Sequence, residues 1–215
     1  NIDYVIQEKP NGLAEAFLLG DEFIGNDNVC LILGDNLFWG QGLSKQLINA
    51  KSNLDGATIF GYRVLDPQRF GVIELDQSNN VKSIEEKPRN PKSNIASTGL
   101  YFYDNQVIKF AKSVKPSARG ELEITSVNNQ YLEQNSLKVE MLGRGFAWLD
   151  TGTSSSLLEA SSFVETIERQ QGYKIACLEE IALNKGWIDK KILLNTAEKY
   201  LNSSYGKYLM DLVNE

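Results

Sequence analysis

Residues 1–104 alternate short apolar runs with segments of helical period, and few architectures accommodate that order. Residues 4–7 and 29–33 are short and apolar, and residues 57–64 are again strand-like. Between them, residues 12–24 carry Leu13, Ala16, Phe17 and Phe23 at helical spacing, and residues 43–50 return to that spacing. A β-α-β-α-β order predicts an α/β fold with a mixed, mainly parallel central sheet and helices on its faces. Residues 70–76 and 81–86 flank the polar turn Gln77-Ser78-Asn79-Asn80, which predicts a hairpin. Residues 95–103 predict a further strand, and helices are predicted over 105–113, 122–133 and 154–170. Short strands are read at 137–142 and 146–149. The tail, 179–213, reads as short helices broken at Gly186 and Gly206. A soft boundary near 172 separates a sheet domain, 1–172, from a helical C-terminal segment, 173–215.

Composition removes several chemistries. The chain has no histidine, which excludes Ser-His and Cys-His triads, a histidine base and the usual zinc sites. Carboxylates, Lys, Arg, backbone amides and a hard cation remain. A formal charge of −6 disfavours general nucleic-acid binding, which rests on phosphate neutralisation. The longest apolar runs, such as 29–33, are too short to span a bilayer, and no leader pattern opens the sequence. Cys30 and Cys177 sit in apolar, strand-like contexts, which predicts buried free thiols and a reducing compartment. The chain starts at Asn1 rather than Met, and residues 4–6 read as the middle of an element, so N-terminal truncation is expected.

Five segments could carry chemistry. Leu33-Gly34-Asp35-Asn36 follows a strand directly, where open α/β sheets bind ligands; it also suits a plain turn. Asp150 in Trp148-Leu149-Asp150-Thr151-Gly152-Thr153 again ends a strand, as a cation ligand or as a helix cap that Thr151 or Thr153 could supply instead. Two such aspartates from distant strand ends could share one Mg²⁺, which takes one or two carboxylates and leaves its other positions to phosphate and water. In Glu85-Glu86-Lys87-Pro88, neighbours on a strand point to opposite faces, so one carboxylate can enter a cleft while the other is solvated. Gln7-Glu8-Lys9-Pro10-Asn11-Gly12 fixes a turn before a helix, whose amides could meet a base or phosphate. Arg119-Gly120-Glu121-Leu122-Glu123 reads equally as a loop with an acidic helix start.

Taken together, the strings QEKPNGLAEAF, LILGDNLFWG, RVLDPQRFGVIE, IEEKPRNPKSN, STGLYFYD, RGELEIT and GRGFAWLDTGT resemble the glucose-1-phosphate thymidylyltransferases, within the sugar-1-phosphate nucleotidylyltransferases. The resemblance runs from about Tyr4 through the helical tail. It implies a Rossmann-like nucleotidyltransferase fold and transfer of a thymidylyl group from dTTP to glucose 1-phosphate. It implies base contacts at Gln7 and Gly12 and Mg²⁺ on Asp35 and Asp150. Sugar and phosphate contacts are implied at Gly71, Glu86 and Lys87, with Tyr101 beside the sugar pocket and Arg119 in the substrate-side loop. Phe70 stands where many relatives have Tyr. The resemblance further implies a cytoplasmic homotetramer serving dTDP-rhamnose biosynthesis, with a dTDP-sugar as end product. The family's Gly-rich phosphate loop has no counterpart string here, so this polypeptide is expected to be impaired. Alternatives are a UTP-using pyrophosphorylase and a non-catalytic nucleotide-sugar-binding or regulatory protein.

Overall fold

Strands form at the apolar runs: β1 (Val29–Ile32), β2 (Asn36–Trp39), β3 (Ala57–Arg63), β4 (Gly71–Leu75), β5 (Val81–Glu86), β6 (Ile95–Tyr103), β7 (Leu137–Met141) and β8 (Ala147–Asp150). The helices are α1 (Glu15–Leu19), α2 (Asp21–Ile24), α3 (Leu43–Ser52), α4 (Gln106–Ser113), α5 (Ile124–Glu133), α6 (Ser154–Gln171), α7 (Leu178–Asn184), α8 (Lys190–Lys199) and α9 (Ser204–Asn214). They are seen in a computed structural model that describes residues 2–214. Two compact units divide the chain, one ending at Asp150 and the other beginning at Thr151. That division precedes α6, whereas the sequence suggested a boundary near 172, after it.

Every residue of β6 is buried, so both faces of this strand need cover. Alternation supplies it. Tyr101 and Tyr103 join Phe17 of α1, Val107 and Phe110 of α4, and Val127 and Tyr131 of α5 in one core. Leu100 and Phe102 join Phe60 of β3 and Ala50 of α3 in a second, on the opposite face. In the first core Tyr103 meets Phe17 edge-on at 5.4 Å and stacks on Tyr131 at 5.5 Å. Its hydroxyl donates to Asn128 Oδ1 at 2.6 Å.

The sheet order is β5-β4-β6-β3-β7, with β1 also pairing β6. The α/β fold and its mixed sheet match the sequence reading, but the balance of strand directions does not. Only β3 and β7 run parallel among the described pairs; β6 runs against β1, β3 and β4. Apolar periodicity reports which face of a strand is buried, not which way the strand runs. The β4–β5 hairpin and the long return of β6 supply the antiparallel pairs. A separate two-stranded sheet pairs β2 with β8.

Three smaller readings also change. Residues 4–7 form no strand, and Tyr4, Val5 and Ile6 are exposed. An apolar run becomes a strand only by pairing, and no described strand pairs with it. Cys30 is exposed, because it alternates with core-facing Val29 and Leu31; Cys177 is buried as expected. Gly206 does not end a helix but lies in the first turn of α9, where a Cβ would sit 2.0 Å from the Tyr200 carbonyl oxygen. Close approach explains this glycine better than chain reversal.

In the second unit, Thr153 caps α6 by a capping box with Ser156, so Asp150 is not the cap. Asp189 caps α8 through the Ile192 amide at 2.8 Å. Cys177, Leu193, Ala197 and Leu209 form this unit's core. Tyr205 and Tyr208 pack around it and donate their hydroxyls to Glu179 and Glu180.

Candidate active site

A cleft of about 190 Å³ opens in the first unit over the middle of β6, where β1, β5 and β8 end and β2 and β4 begin. Asp35, Gly71, Glu86, Lys87, Tyr101 and Asp150 all line it. Six residues singled out from the sequence therefore converge, although they span 115 positions from Asp35 to Asp150.

A turn and a strand pair bring the two aspartates together. The Asn36 amide donates to the Leu33 carbonyl at 3.2 Å, which turns the chain after β1 and delivers Asp35 at the cleft. Asn36 then lies directly opposite Asp150 in the antiparallel β2–β8 pair. The turn reading of Gly34-Asp35-Asn36 is thus compatible with the ligand reading, since the turn delivers the carboxylate to the cleft. Asn36 Nδ2 donates to Asp35 Oδ1 at 2.9 Å. Arg69 Nη2 stands 3.9 Å from Asp150 Oδ2, while its Nη1 holds Asp66 at 3.0 Å.

These residues fit a hard divalent cation. Asp35 and Asp150 both line one open cleft, and Mg²⁺ commonly takes one or two carboxylates with water and phosphate completing its shell. Among the described residues, no cluster of three or more His, Cys, Asp or Glu side chains forms a denser metal site.

The sugar side rests on the end of β5. Glu85 points to solvent and Glu86 into the cleft, as alternation requires. Lys87 would then face outward, but its φ is +42°, a left-handed value that a lysine seldom adopts. That backbone turn places Lys87 on the cleft beside Glu86. Its amide donates to the Phe70 carbonyl at 3.0 Å, which locks the turn to β4. Gly71, opposite Glu86 in the β4–β5 ladder, leaves room there; a Cβ would lie 3.1 Å from Thr125 Oγ1 and 3.5 Å from Glu86 Oε2. Thr125 Oγ1 donates to Glu86 Oε2 at 2.5 Å, and Arg119 Nη1 stands 3.6 Å from Glu86 Oε1. Arg119 also pairs with Glu121 at 2.7 Å and Glu123 at 3.6 Å. Tyr101 is buried at the cleft floor, and burial pushes its hydroxyl well above the usual tyrosine range, so it stays protonated.

Gln7 and Gly12 do not line the cleft; their neighbour Leu13 does. Gln7 Nε2 donates to the Gly12 carbonyl at 3.1 Å and to Glu15, closing the turn before α1. Gly12 has a φ of +106°, and a Cβ there would lie 2.5 Å from the Leu122 backbone. Leu122 donates to the Asn11 carbonyl at 2.6 Å and accepts from the Ala14 amide at 3.0 Å. The Gln7–Gly12 turn is thereby tied to the loop that carries Arg119.

The sequence reading passed over Asn36, Arg69, Thr125 and Trp148 as cleft residues. Trp148 alone had a signal, an aromatic two positions before a candidate ligand on one strand face. The others act through contacts with residues distant in sequence.

Residues 1–167 match the nucleotidyl transferase family. The whole chain is 56% identical to a glucose-1-phosphate thymidylyltransferase of Neisseria gonorrhoeae and covers 74% of it. Over 99% of its length it is 51% identical to the glucose-1-phosphate thymidylyltransferase of Mycobacterium tuberculosis, again covering 74%. A solved Bacillus anthracis structure, named as a glucose-1-phosphate thymidylyltransferase in complex with sucrose, aligns with a TM-score of 0.67 at 40% identity. That alignment covers 75% of this chain and 64% of the other, a little under two thirds. A UDP-glucose pyrophosphorylase with UDP-glucose aligns with a TM-score of 0.70 at 23% identity over 76% of this chain and 66% of that one, a likeness of fold alone.

Proposed function

The chain belongs to the nucleotidyl transferase family, and within it we propose that it transfers a thymidylyl group from dTTP to glucose 1-phosphate, giving dTDP-glucose and pyrophosphate. The observation that carries this reading is the convergence of Asp35, Asp150, Glu86 and Lys87 on one cleft.

The chemistry suits a site without histidine. A phosphate oxygen of glucose 1-phosphate attacks the α-phosphorus of dTTP in line. The new P–O bond forms as the bond to the β-phosphate oxygen breaks, and the electron pair leaves with pyrophosphate. The nucleophile is already anionic, so no general base is needed. Positioning and charge neutralisation remain, and under this reading the cleft residues would provide both. Lys87 would hold the sugar phosphate, while Arg119, 3.6 Å from Glu86 Oε1, would add positive charge from the neighbouring loop. Glu86 is placed to accept from sugar hydroxyls, held on one oxygen by Thr125. Phe70 and Trp148, with ring centroids 5.0 Å apart, form an apolar wall for the hexose ring. Asp35 and Asp150 would hold Mg²⁺, whose chemistry there is to neutralise phosphate oxygens. Gln7 and Gly12 are proposed to meet the thymine base from the turn before α1.

A cytoplasmic location, homotetramer assembly and supply of dTDP-glucose to dTDP-rhamnose synthesis belong to the same proposal. No described helix is long and apolar enough to cross a membrane. Exposed Leu178, Trp187 and Tyr200 in the second unit support subunit contacts.

Incubating the full-length gene product with glucose 1-phosphate, Mg²⁺ and either dTTP or UTP tests the reaction. Appearance of dTDP-glucose by mass spectrometry, in clear excess over UDP-glucose, is expected. UDP-glucose as the main product would move the assignment to a uridylyl enzyme. Binding of dTDP-glucose without turnover would favour a non-catalytic nucleotide-sugar-binding role.

A further inference from the structure

The side chain of Asn36 makes three hydrogen bonds that link parts of the cleft otherwise far apart in the chain. Its Oδ1 accepts from the Gly99 amide on β6 at 2.9 Å and from Trp148 Nε1 on β8 at 2.6 Å. Its Nδ2 donates to Asp35 Oδ1 at 2.9 Å. The orientation of the amide is forced. A backbone N–H and an indole N–H can only donate, so the carbonyl oxygen must face them and the NH₂ must face the carboxylate. The absence of a side chain at Gly99 permits this close approach, because a Cβ there would lie 2.5 Å from Asn36 Oδ1. Trp148 is buried, and its ring lies against Phe70 at 5.0 Å and Tyr62 at 6.0 Å. Two residues further along β8, on the same strand face, is Asp150.

We propose that Asn36 is a positioning residue that locks the Asp35 carboxylate and the Trp148 wall into one arrangement, so that cation binding and the shape of the sugar pocket are coupled. The proposal rests on the reading of Asp35 and Asp150 as cation ligands. Divalent-cation binding at Asp35 draws on the carboxylate that Asn36 Nδ2 holds. Any shift of that amide is passed to the Trp148 indole through the oxygen at its other end. Groups that orient ligands in this way typically matter about 10–100-fold in metal affinity or activity.

The three tryptophans make the test direct, since the protein has only three indole N–H resonances. The full chain is labelled with ¹⁵N, and the Trp148 signal is assigned by its loss in Trp148→Phe. Titration with Mg²⁺ alone is expected to move that resonance in the unmodified protein. In Asn36→Leu the resonance is expected to sit elsewhere before titration and to respond to Mg²⁺ only with half-saturation raised about 10–100-fold. Asn36→Asp keeps an acceptor for Gly99 and Trp148 but replaces the donor to Asp35 with a second carboxylate. Its indole resonance is expected to stay near the unmodified position and to keep a Mg²⁺ response, with a half-saturation that differs from that of the unmodified protein. That pair of results separates positioning from folding, because Asn36→Asp retains the structural bonds. An unchanged Mg²⁺ response in Asn36→Leu would overturn the proposal, as would no response in the unmodified protein or an Asn36→Asp resonance displaced as far as that of Asn36→Leu. The nucleotidyl-transfer reading fails separately, by absence of pyrophosphate release while the indole coupling persists.

Discussion

Glu86 and Thr125 are 39 residues apart in sequence, yet the threonine hydroxyl donates to one carboxylate oxygen of Glu86 at 2.5 Å inside the cleft. That bond leaves the other oxygen, 3.6 Å from Arg119, as the one nearest the charged loop. It gives the Glu86 carboxylate a fixed direction in the cleft.

If Glu86 reads sugar hydroxyls, Glu86→Gln should raise the KM for glucose 1-phosphate more than it lowers kcat. Thr125→Val removes the orienting hydroxyl at nearly constant volume and should act in the same direction, but more weakly. A lost hydrogen bond to a charged group is worth about 1.5–3 kcal/mol, or roughly tenfold to a hundredfold in kcat/KM. Steady-state kinetics at saturating nucleotide checks this. Unchanged KM values in both variants would remove Glu86 from the sugar site.

Gly99 is expected to tolerate no side chain. A Cβ there would meet Asn36 Cγ at 2.7 Å and Leu33 Cβ at 2.8 Å. Gly99→Ala should cost about 1–3 kcal/mol by overpacking and should displace Asn36 from the Trp148 indole. A lowered thermal midpoint together with a shifted tryptophan emission is the expected result. A midpoint equal to that of the unmodified protein would show that the β2–β8 pair moves freely against β6.

Tyr101, Tyr103 and Tyr131 stack through the core of the first unit. Burial, the largest cause in each case, raises their hydroxyls above the ordinary tyrosine range, and a bond to Asp104 raises Tyr131 further. A folded-state pKa above the unfolded value of about 10 contributes stability that is fully present below that pH and is lost as pH rises beyond it. Tyrosinate absorbance from these residues should therefore appear together with loss of near-ultraviolet circular dichroism, above about pH 10. Their ionisation in a still-folded protein would contradict the buried assignment.

In the second unit Trp187 is 72% exposed and Tyr200 is 50% exposed, whereas Tyr205 and Tyr208 pack around that unit's core. Under the assembly proposal, the first two are the ones available to a neighbouring subunit. Light scattering should give an oligomer, and Trp187→Ser should shift it toward smaller species without lowering helix content. A monomer at high concentration would remove the assembly proposal.

The two aspartates and the Glu86–Lys87 step were legible because each sits where a strand ends, and strand ends follow from apolar runs. Strand β2 was not legible. Asn36-Leu37-Phe38-Trp39 shows no alternation, and all four residues are only half-buried because the pair with β8 lies apart from the main sheet. Lys87 could be placed only by its backbone, since alternation alone sends it outward. Thr125 and Asn36 were missed because their roles lie in bonds to residues 39, 63 and 112 positions away. The direction of β6 was missed for the same physical reason, since burial periodicity is blind to chain direction.

The most direct measurement is pyrophosphate release by the full-length protein from dTTP and glucose 1-phosphate, compared with Asp150→Asn and Asp35→Asn. Each substitution keeps the side chain's shape and removes its charge from the cleft. Loss of one transition-state charge contact of this kind is worth about a hundredfold or more in kcat. Both variants are expected to fall at least that far, with the KM for glucose 1-phosphate changed by only a few-fold, and raised Mg²⁺ should partly restore them. Activity in either variant equal to that of the unmodified protein would contradict a shared cation site on Asp35 and Asp150.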